Sequence, residues 1–366
     1  MTGMRDMPSI MLLDLGREFR GGQRQTLALA EGLMSRNCNV ILACRGDAPL
    51  RERACSRGVP LFETRYSLAG IFPEALSLVN RVEEGAIDIL HASDSHSHTL
   101  AVIVKRMTAG LNLVVTARTV FSSSGWFSRR FKYGGGGVDR FVAISRAVKN
   151  NLVSRGAGHE KIEIIPSCID RAIFNQNGRT ETDRFTIGTA CALEKNKGVG
   201  QILKSLKLLN KVKTDWMCRI AGTGPDREIL AKQASSSGFA DKVEFCGFVD
   251  DMPGFYRGLD AYILASRSEG LGSSLIEAGA CGAVPVGADV GGVSEVIDDG
   301  IDGYLFEYSD VGRLSQILYN LSDNRDERKK MLSRFENKLE KFDINIMVSS
   351  YLDLYQKLTR GFNYGR

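Results

Sequence analysis

A chain of 366 residues is more than one hydrophobic core usually holds, so two domains of ordinary size are expected. Its composition, 43% hydrophobic and 25% charged with no apolar run near the ~20 residues that cross a bilayer, excludes a membrane-spanning class. The net charge of +5 is unevenly divided: residues 1–180 hold 24 Lys/Arg against 16 Asp/Glu, and the remainder 24 against 27. The basic half is expected to meet something anionic, and no zinc-finger, RNP or helix-turn-helix signature makes that nucleic acid.

From the N-terminus, Met1 to Pro8 is polar and the apolar stretch Ile10 to Leu15 is too short for a signal-peptide core, so a cytoplasmic protein is expected. Short apolar runs then alternate with segments of helical period: "IMLLDL", "GQRQTLALAEGLMSR", "NVILAC", "PLRERACSRG" and "PLFET". This is the pattern of parallel β-α-β units. It continues through "IDILHA", "LNLVVTA", "RFVAIS" and "IEIIP", then pauses over a polar stretch read as a linker, residues 171–184. It resumes with "FTIGTA", a helix near Gly200 to Asn210, "WMCRIAG", a helix after Pro225, "VEFCGF", "AYILAS", a helix from Ser273, "AVPVGA" and "GYLF". The pattern predicts two doubly wound α/β domains, residues 1–170 and 185–340, facing each other, with ligands at the carboxyl ends of their strands. A final helical segment, residues 341–366, is expected to cross back to the first domain.

The eight cysteines never approach C-x-x-C spacing and read as buried reduced thiols. Three of the four histidines crowd into "HASDSHSH", which does not make a zinc site, and Asp-x-Asp, the usual carboxylate clamp for a metal-bound diphosphate, is absent. No metal and no cofactor are expected.

The segment "SEGLGSSLIEAGACGAVPVGADVGGVSEVIDDGIDGYLF" places two glutamates, Glu269 and Glu277, around a glycine-serine turn. It resembles the signature of the retaining glycosyltransferases of family 4, which have the GT-B fold. "GGQRQ", "AISRAVKNNL", "IIPSCID", "NKG", "AGTGP" and "CGFVDD" fall in that family's order along nearly the whole chain. The resemblance implies transfer of a sugar from a nucleotide diphosphate donor to a glycan or lipid-linked acceptor, with anomeric configuration kept and no required metal. A cell-envelope role such as lipopolysaccharide synthesis would fit it.

A departing diphosphate accumulates negative charge, so fixed cations and N–H donors must face it. On the resemblance Lys197 is the phosphate-binding lysine, ahead of a helix whose N-terminus favours anions; a solvated loop lysine is the alternative. The arginine often found a few residues earlier is Ala192 here, and Lys195 could substitute. Gly21 and Gly22 would let backbone approach the diphosphate, unless they form an ordinary tight turn. Glu269 and the backbone of Gly270, Leu271, Gly272, Ser273, Ser274 and Leu275 would hold the donor sugar, and Glu277 the ribose hydroxyls. Taken alone, Ser274 to Glu277 also reads as a capping box. Gly222, Gly224 and Phe248 lie in the matching motifs of the donor domain.

On the acceptor side Asp94 and His96 match cleft-facing polar positions. Arg118 stands where many relatives carry a histidine that touches the sugar; an arginine binds phosphate or carboxylate bidentately but cannot shuttle a proton. Glu269, Lys197, Arg118 and His96 are thus the candidate catalytic residues. Residues 122–137 mix Trp126, Phe127, Phe131 and Tyr133 with Arg129, Arg130 and Lys132, as expected either of peripheral contact with an anionic membrane or of an acceptor loop. Two other classes stay open: another GT-B enzyme, such as a sugar-nucleotide epimerase or a sugar phosphorylase, and a nucleotide-sugar-binding protein without transfer activity. A dinucleotide dehydrogenase is disfavoured, because no G-x-G-x-x-G follows the first strand.

Overall fold

The computed structural model describes residues 7–65, 70–120, 130–134, 137–179 and 184–361. They form two compact units, Met1–Cys168 with Ile344–Arg366, and Ile169–Asp343.

The first unit runs β1 (Ser9–Asp14), α1 (Gly21–Met34), β2 (Asn39–Arg45), α2 (Pro49–Ser56), β3 (Leu61–Thr64), α3 (Ile71–Glu84), β4 (Ile89–Ala92), α4 (Ser95–Met107), β5 (Asn112–Ala117), a π-type turn Arg130–Gly134, β6 (Arg140–Ala143), α5 (Arg146–Ser154) and β7 (Ile162–Ile164). Its sheet is parallel with order β3-β2-β1-β4-β5-β6-β7. Every residue of β1, β4 and β5 is buried, because helices cover both faces, and this is why those strands read as unbroken apolar runs.

The last helix, α12 (Ile344–Gly361), belongs to this unit. It places Met347, Val348, Tyr351, Leu354 and Tyr355 in the same core as Leu27, Leu29 and Leu33 of α1. Burial of each such side chain stabilises by about 1.5–3 kcal/mol, enough to hold a terminal helix in place. A buried polar chain also ties it down: His91 Nδ1 lies 2.6 Å from the Tyr355 hydroxyl, His91 Nε2 2.7 Å from Thr116 Oγ1, and Thr116 Oγ1 2.9 Å from the Tyr351 hydroxyl.

Burial pushes the imidazoles of His91 and His98 down to about 3, helped by Arg118 near the first and Lys132 near the second. Both titrate near 6.5 when unfolded, so the unfolded chain binds more protons between those values. Their contribution is therefore complete above about pH 6.5 and is lost as pH falls towards 3. The melting temperature should drop between about pH 6.5 and 5, where few carboxylates titrate, and should drop less in a His91→Gln, His98→Gln double variant. Parallel curves for the two proteins would refute this.

The second unit runs β8 (Phe185–Ala190), α6 (Val199–Leu209), β9 (Trp216–Ala221), α7 (Arg227–Ser236), β10 (Val243–Gly247), α8 (Met252–Arg257), β11 (Ala261–Leu264), α9 (Ser273–Ala280), β12 (Val284–Ala288), β13 (Tyr304–Phe306), α10 (Val311–Asp323) and α11 (Arg325–Glu336). The sheet is again parallel, with order β10-β9-β8-β11-β12-β13. Its core gathers Ile187, Ile220, Ile263 and Val286 from the strands with Ile202, Leu206, Leu314 and Leu318 from α6 and α10. The polar stretch read as a linker starts as turns bound to this unit: Arg257 donates to the Ile173 and Asn175 carbonyls at 3.0 and 2.9 Å. Residues 180–183 lie outside the described residues.

Candidate active site

Each sheet has one point where the strand order reverses, β1/β4 in the first unit and β8/β11 in the second. Loops leaving the carboxyl ends there diverge to opposite sides and leave a crevice for a ligand.

In the second unit, the loop after β8 tightens into a turn at Lys195–Lys197 before α6, and the loop after β11 runs to α9. The Arg267 N–H donates to the Asn196 carbonyl at 2.8 Å and fastens one loop to the other. Lys197 Nζ donates to Glu269 Oε1 at 2.7 Å, with the side chains 28% and 19% exposed. Two of the four candidate catalytic residues, Lys197 and Glu269, therefore meet and neutralise each other. Lys195 is exposed on the same turn.

Sequence reasoning missed what holds Glu269. Gly291, in the loop after β12, has φ +59°, and a Cβ there would overlap the Glu269 carbonyl oxygen, which also accepts from the Gly292 N–H at 3.4 Å. The signal was the paired glycines of "DVGGV", which only backbone contact explains.

The glycine-serine turn is corrected in two respects. The capping box does not form: Gly272 is the N-cap of α9 without a side-chain bond, Ser273 and Ser274 are its half-buried first residues, and Glu277 comes too late to reach back. Glu277 is instead 4% exposed, and its Oε2 accepts from the Tyr256 hydroxyl of α8 at 3.1 Å. Leu271 and Leu275 are core residues, 3% and 0% exposed, so only their backbone is available to a ligand. Gly270 and Gly272 are buried beside them.

Gly222 and Gly224 are explained by packing. A Cβ at either would overlap the carbonyl oxygen of Cys191 or Leu193, so the loops after β8 and β9 lie backbone on backbone. Phe248, just past β10, is 73% exposed, leaving its ring face open to stack on a ligand.

In the first unit, Asp94 is the N-cap of α4. Its Oδ1 accepts from the His96 and Ser97 N–H groups at 2.7 and 3.1 Å, and its Oδ2 from the Leu15 N–H at 2.7 Å. With three backbone donors it has a structural post, which the sequence reading as a ligand residue did not foresee. His96 is exposed in the first turn of α4. Asp14, also missed, is buried at the end of β1 and accepts from Gln23 Nε2 and Thr26 Oγ1 of α1 at 2.9 and 2.8 Å. Burial and the nearby Asp94 charge raise its carboxyl above the usual range. Gly21 and Gly22 open α1, and the aliphatic part of Arg118, just past β5, lies against Gly22.

Of the aromatic and basic segment, the described residues Phe131, Lys132 and Tyr133 are engaged by their own unit. Arg106 covers the Phe131 ring at 4.6 Å, Lys132 Nζ donates to the Ser95 carbonyl and hydroxyl at 2.7 and 3.0 Å, and Tyr133 stacks on Phe141 at 5.9 Å. Arg130 is exposed; Trp126, Phe127 and Arg129 lie outside the described residues. Among the described residues no helix is long and apolar enough to cross a membrane, and no three His, Cys, Asp or Glu could hold a metal ion.

The chain is similar to known proteins. The family model described as "Glycosyl transferases group 1" matches residues 170–338, and the one described as "Glycosyltransferase Family 4" matches 19–172. N-acetyl-alpha-D-glucosaminyl L-malate synthase of Bacillus anthracis is 25% identical, over 82% of this chain and 84% of that protein. The lipopolysaccharide core mannosyltransferase LpsB of Rhizobium meliloti is 27% identical, over 63% and 67%. The structure of Anabaena HepE in complex with UDP superposes with a TM-score of 0.84 at 18% identity, over 95% of this chain and 100% of that one. A glycosyltransferase of Rickettsia africae gives 0.86 at 18%, over 96% and 99%. The fold is thus GT-B, and the protein is a glycosyltransferase. Within that class, the chain belongs to glycosyltransferase family 4.

Proposed function

We propose that this enzyme transfers a sugar, with retention, from a nucleotide diphosphate donor bound by the second unit to a glycan or lipid-linked acceptor bound by the first. The Lys197–Glu269 pair at the β8/β11 switch point carries this reading. Lys197, with Lys195 beside it, faces the diphosphate; Glu269 and the backbone from Gly270 to Ser274 accept and donate to the sugar hydroxyls. Glu277 takes the ribose hydroxyls, and Phe248 lies against the base. Gly21 and Gly22 allow close approach of backbone to the phosphates.

As the bond from the anomeric carbon to the phosphate oxygen breaks, negative charge grows on that oxygen, and the lysine stabilises it more than in the ground state. The acceptor hydroxyl attacks from the same face and passes its proton to the departing oxygen. No side-chain base is required, in keeping with an arginine at position 118. UDP, the ligand of the HepE complex, makes UDP-sugars the first donors to try.

The test is incubation with UDP-, GDP- and ADP-sugars, following first hydrolysis and then transfer to glycan and lipid-linked acceptors, with the anomeric outcome read by NMR. Turnover of no donor, or an inverted product, would overturn the proposal. Activity is expected to persist in EDTA, because Lys197 takes the post a metal would fill; complete loss restored by magnesium or manganese would refute this.

An envelope acceptor would bring the enzyme to the inner face of the plasma membrane. Support is the charge split alone, since Phe131, Lys132 and Tyr133 contact their own unit. Each basic residue near an anionic surface contributes about 1 kcal/mol, so binding should be reversible and salt-sensitive. The protein should pellet with anionic but not neutral vesicles at low salt, and changing Arg129, Arg130 and Lys132 to serine should weaken this. Wild type remaining in the supernatant would favour a soluble acceptor.

A further inference from the structure

Two features of the first unit follow the carboxyl ends of the paired strands β4 and β5. Arg118 is half-buried, and its Nε is fully buried with no hydrogen-bond partner among the described residues. Its side chain lies on the start of α1: a Cβ built on Gly22 would sit 3.7 Å from Arg118 Cδ and 3.9 Å from Nε. No carboxylate among the described residues forms an ion pair with it, although the other buried polar groups nearby, Asp14 and His91, are fully engaged. The second feature is Ser93, only 7% exposed, whose hydroxyl has no partner among the described residues. It directly follows β4, its N–H donating to the Leu13 carbonyl of β1 at 3.0 Å, and Ala92 before it is paired with Val115 of β5.

A guanidinium withdrawn from water needs acceptors for its N–H groups, and a buried hydroxyl needs a partner. Here the two unpartnered groups, the Arg118 Nε–H and the Ser93 O–H, can both donate and follow the ends of neighbouring strands. One ligand satisfies them together: an oxyanion. A planar guanidinium matches a carboxylate or phosphate through two parallel bonds. The leaving diphosphate already has Lys197 and Lys195 in the second unit.

We propose that Arg118, with Ser93, forms an oxyanion subsite in the first unit, and that the acceptor carries a phosphate or carboxylate bound there. The subsite rests on the reading of this unit as the acceptor-binding one, and it makes Arg118 a specificity residue rather than a proton carrier. An acceptor of this kind must come from a reaction that phosphorylates it or leaves it as an acid.

The experiment is calorimetric titration of the full chain, wild type, Arg118→Gln and Arg118→Lys, with UDP and GDP, and then with methyl phosphate and malonate in the presence of the tighter-binding nucleotide. In Arg118→Gln, the methyl phosphate or malonate affinity should fall about tenfold or more, the size of a charge-assisted bond, with nucleotide affinity unchanged. Arg118→Lys, which keeps the charge and loses the fork, should fall in the same direction, and it carries the test if the glutamine variant does not fold. A preference for methyl phosphate or for malonate assigns the group to a phosphate or a carboxylate. Three results would overturn the subsite: neither small anion binding to wild type, equal binding to the variants, or a parallel fall in nucleotide affinity, which would hand Arg118 to the donor. Failure of wild type to bind UDP or GDP while Arg118-dependent anion binding persists would instead count against the donor reading alone.

Discussion

Changing Lys197 to alanine is expected to lower turnover by roughly 10²–10³-fold while weakening nucleotide binding by less than about tenfold. The disparity follows from when charge appears. In the bound donor the diphosphate charge is spread over several oxygens; as the glycosidic bond breaks, it concentrates on the one that leaves, and a fixed cation there gains most in the transition state. In the structure Lys197 is held at 2.7 Å by Glu269, so it starts from an ion pair. Both side chains retain contact with solvent, and such pairs are worth at most about 1 kcal/mol, so a diphosphate draws the ammonium away at little cost. Glu269→Gln tests the other half. It should release Lys197 and leave nucleotide affinity equal or slightly improved, while turnover falls because the sugar hydroxyls lose a charged acceptor. Steady-state kinetics with direct titration of the diphosphate reads both quantities. Equal losses in binding and in turnover for the lysine variant would mean that it serves the ground state only.

Much of the fold was legible because parallel strands covered on both faces are written as apolar runs, and β1, β2, β5 and β8 lie within a residue or two of "IMLLDL", "NVILAC", "LNLVVTA" and "FTIGTA". The start of α9 at Ser273 was legible from the glycine-serine turn at Gly272 and Ser273. Less legible was what each residue does where a local and a distant use share one side-chain chemistry. An aspartate before a helix can cap it or face a ligand, and only the hydrogen bonds to Leu15, His96 and Ser97 show that Asp94 caps. Ser274 and Glu277 have capping-box spacing, yet Gly272 takes the cap and Glu277 turns inward to Tyr256. Ser93 gave no usable signal because the strand beside it, β1, lies far back along the chain, and Asp14 gave none because its partners, Gln23 and Thr26, sit on the following helix. The exposed basic look of Lys132 was likewise undone by Ser95, thirty-seven residues away.

Glu277→Ala is expected to weaken nucleotide binding by about 1.5–3 kcal/mol, roughly ten- to a hundredfold in Kd, the size of hydrogen bonds from hydroxyls to a charged acceptor. The same substitution also removes the acceptor at 3.1 Å from the hydroxyl of Tyr256, itself 1% exposed, so some loss of stability is expected whatever the role of Glu277. Two comparisons separate these effects. Glu277→Gln keeps an oxygen for Tyr256 and should melt close to wild type, while still losing affinity because its neutral acceptor is about half as strong towards ribose. A nucleotide without the hydroxyls then identifies the contact. Wild type should bind UDP more tightly than 2′,3′-dideoxy-UDP, or the guanosine pair if GDP is the better ligand, and in Glu277→Ala this preference should vanish, since the group that reads the ribose is gone. A variant that melts lower but still prefers the ribonucleotide would assign Glu277 to the packing of α8 against α9. Loss of the preference with the glutamine variant still fully folded would leave ribose recognition as its role, because the Tyr256 bond survives that change and the carboxylate charge does not.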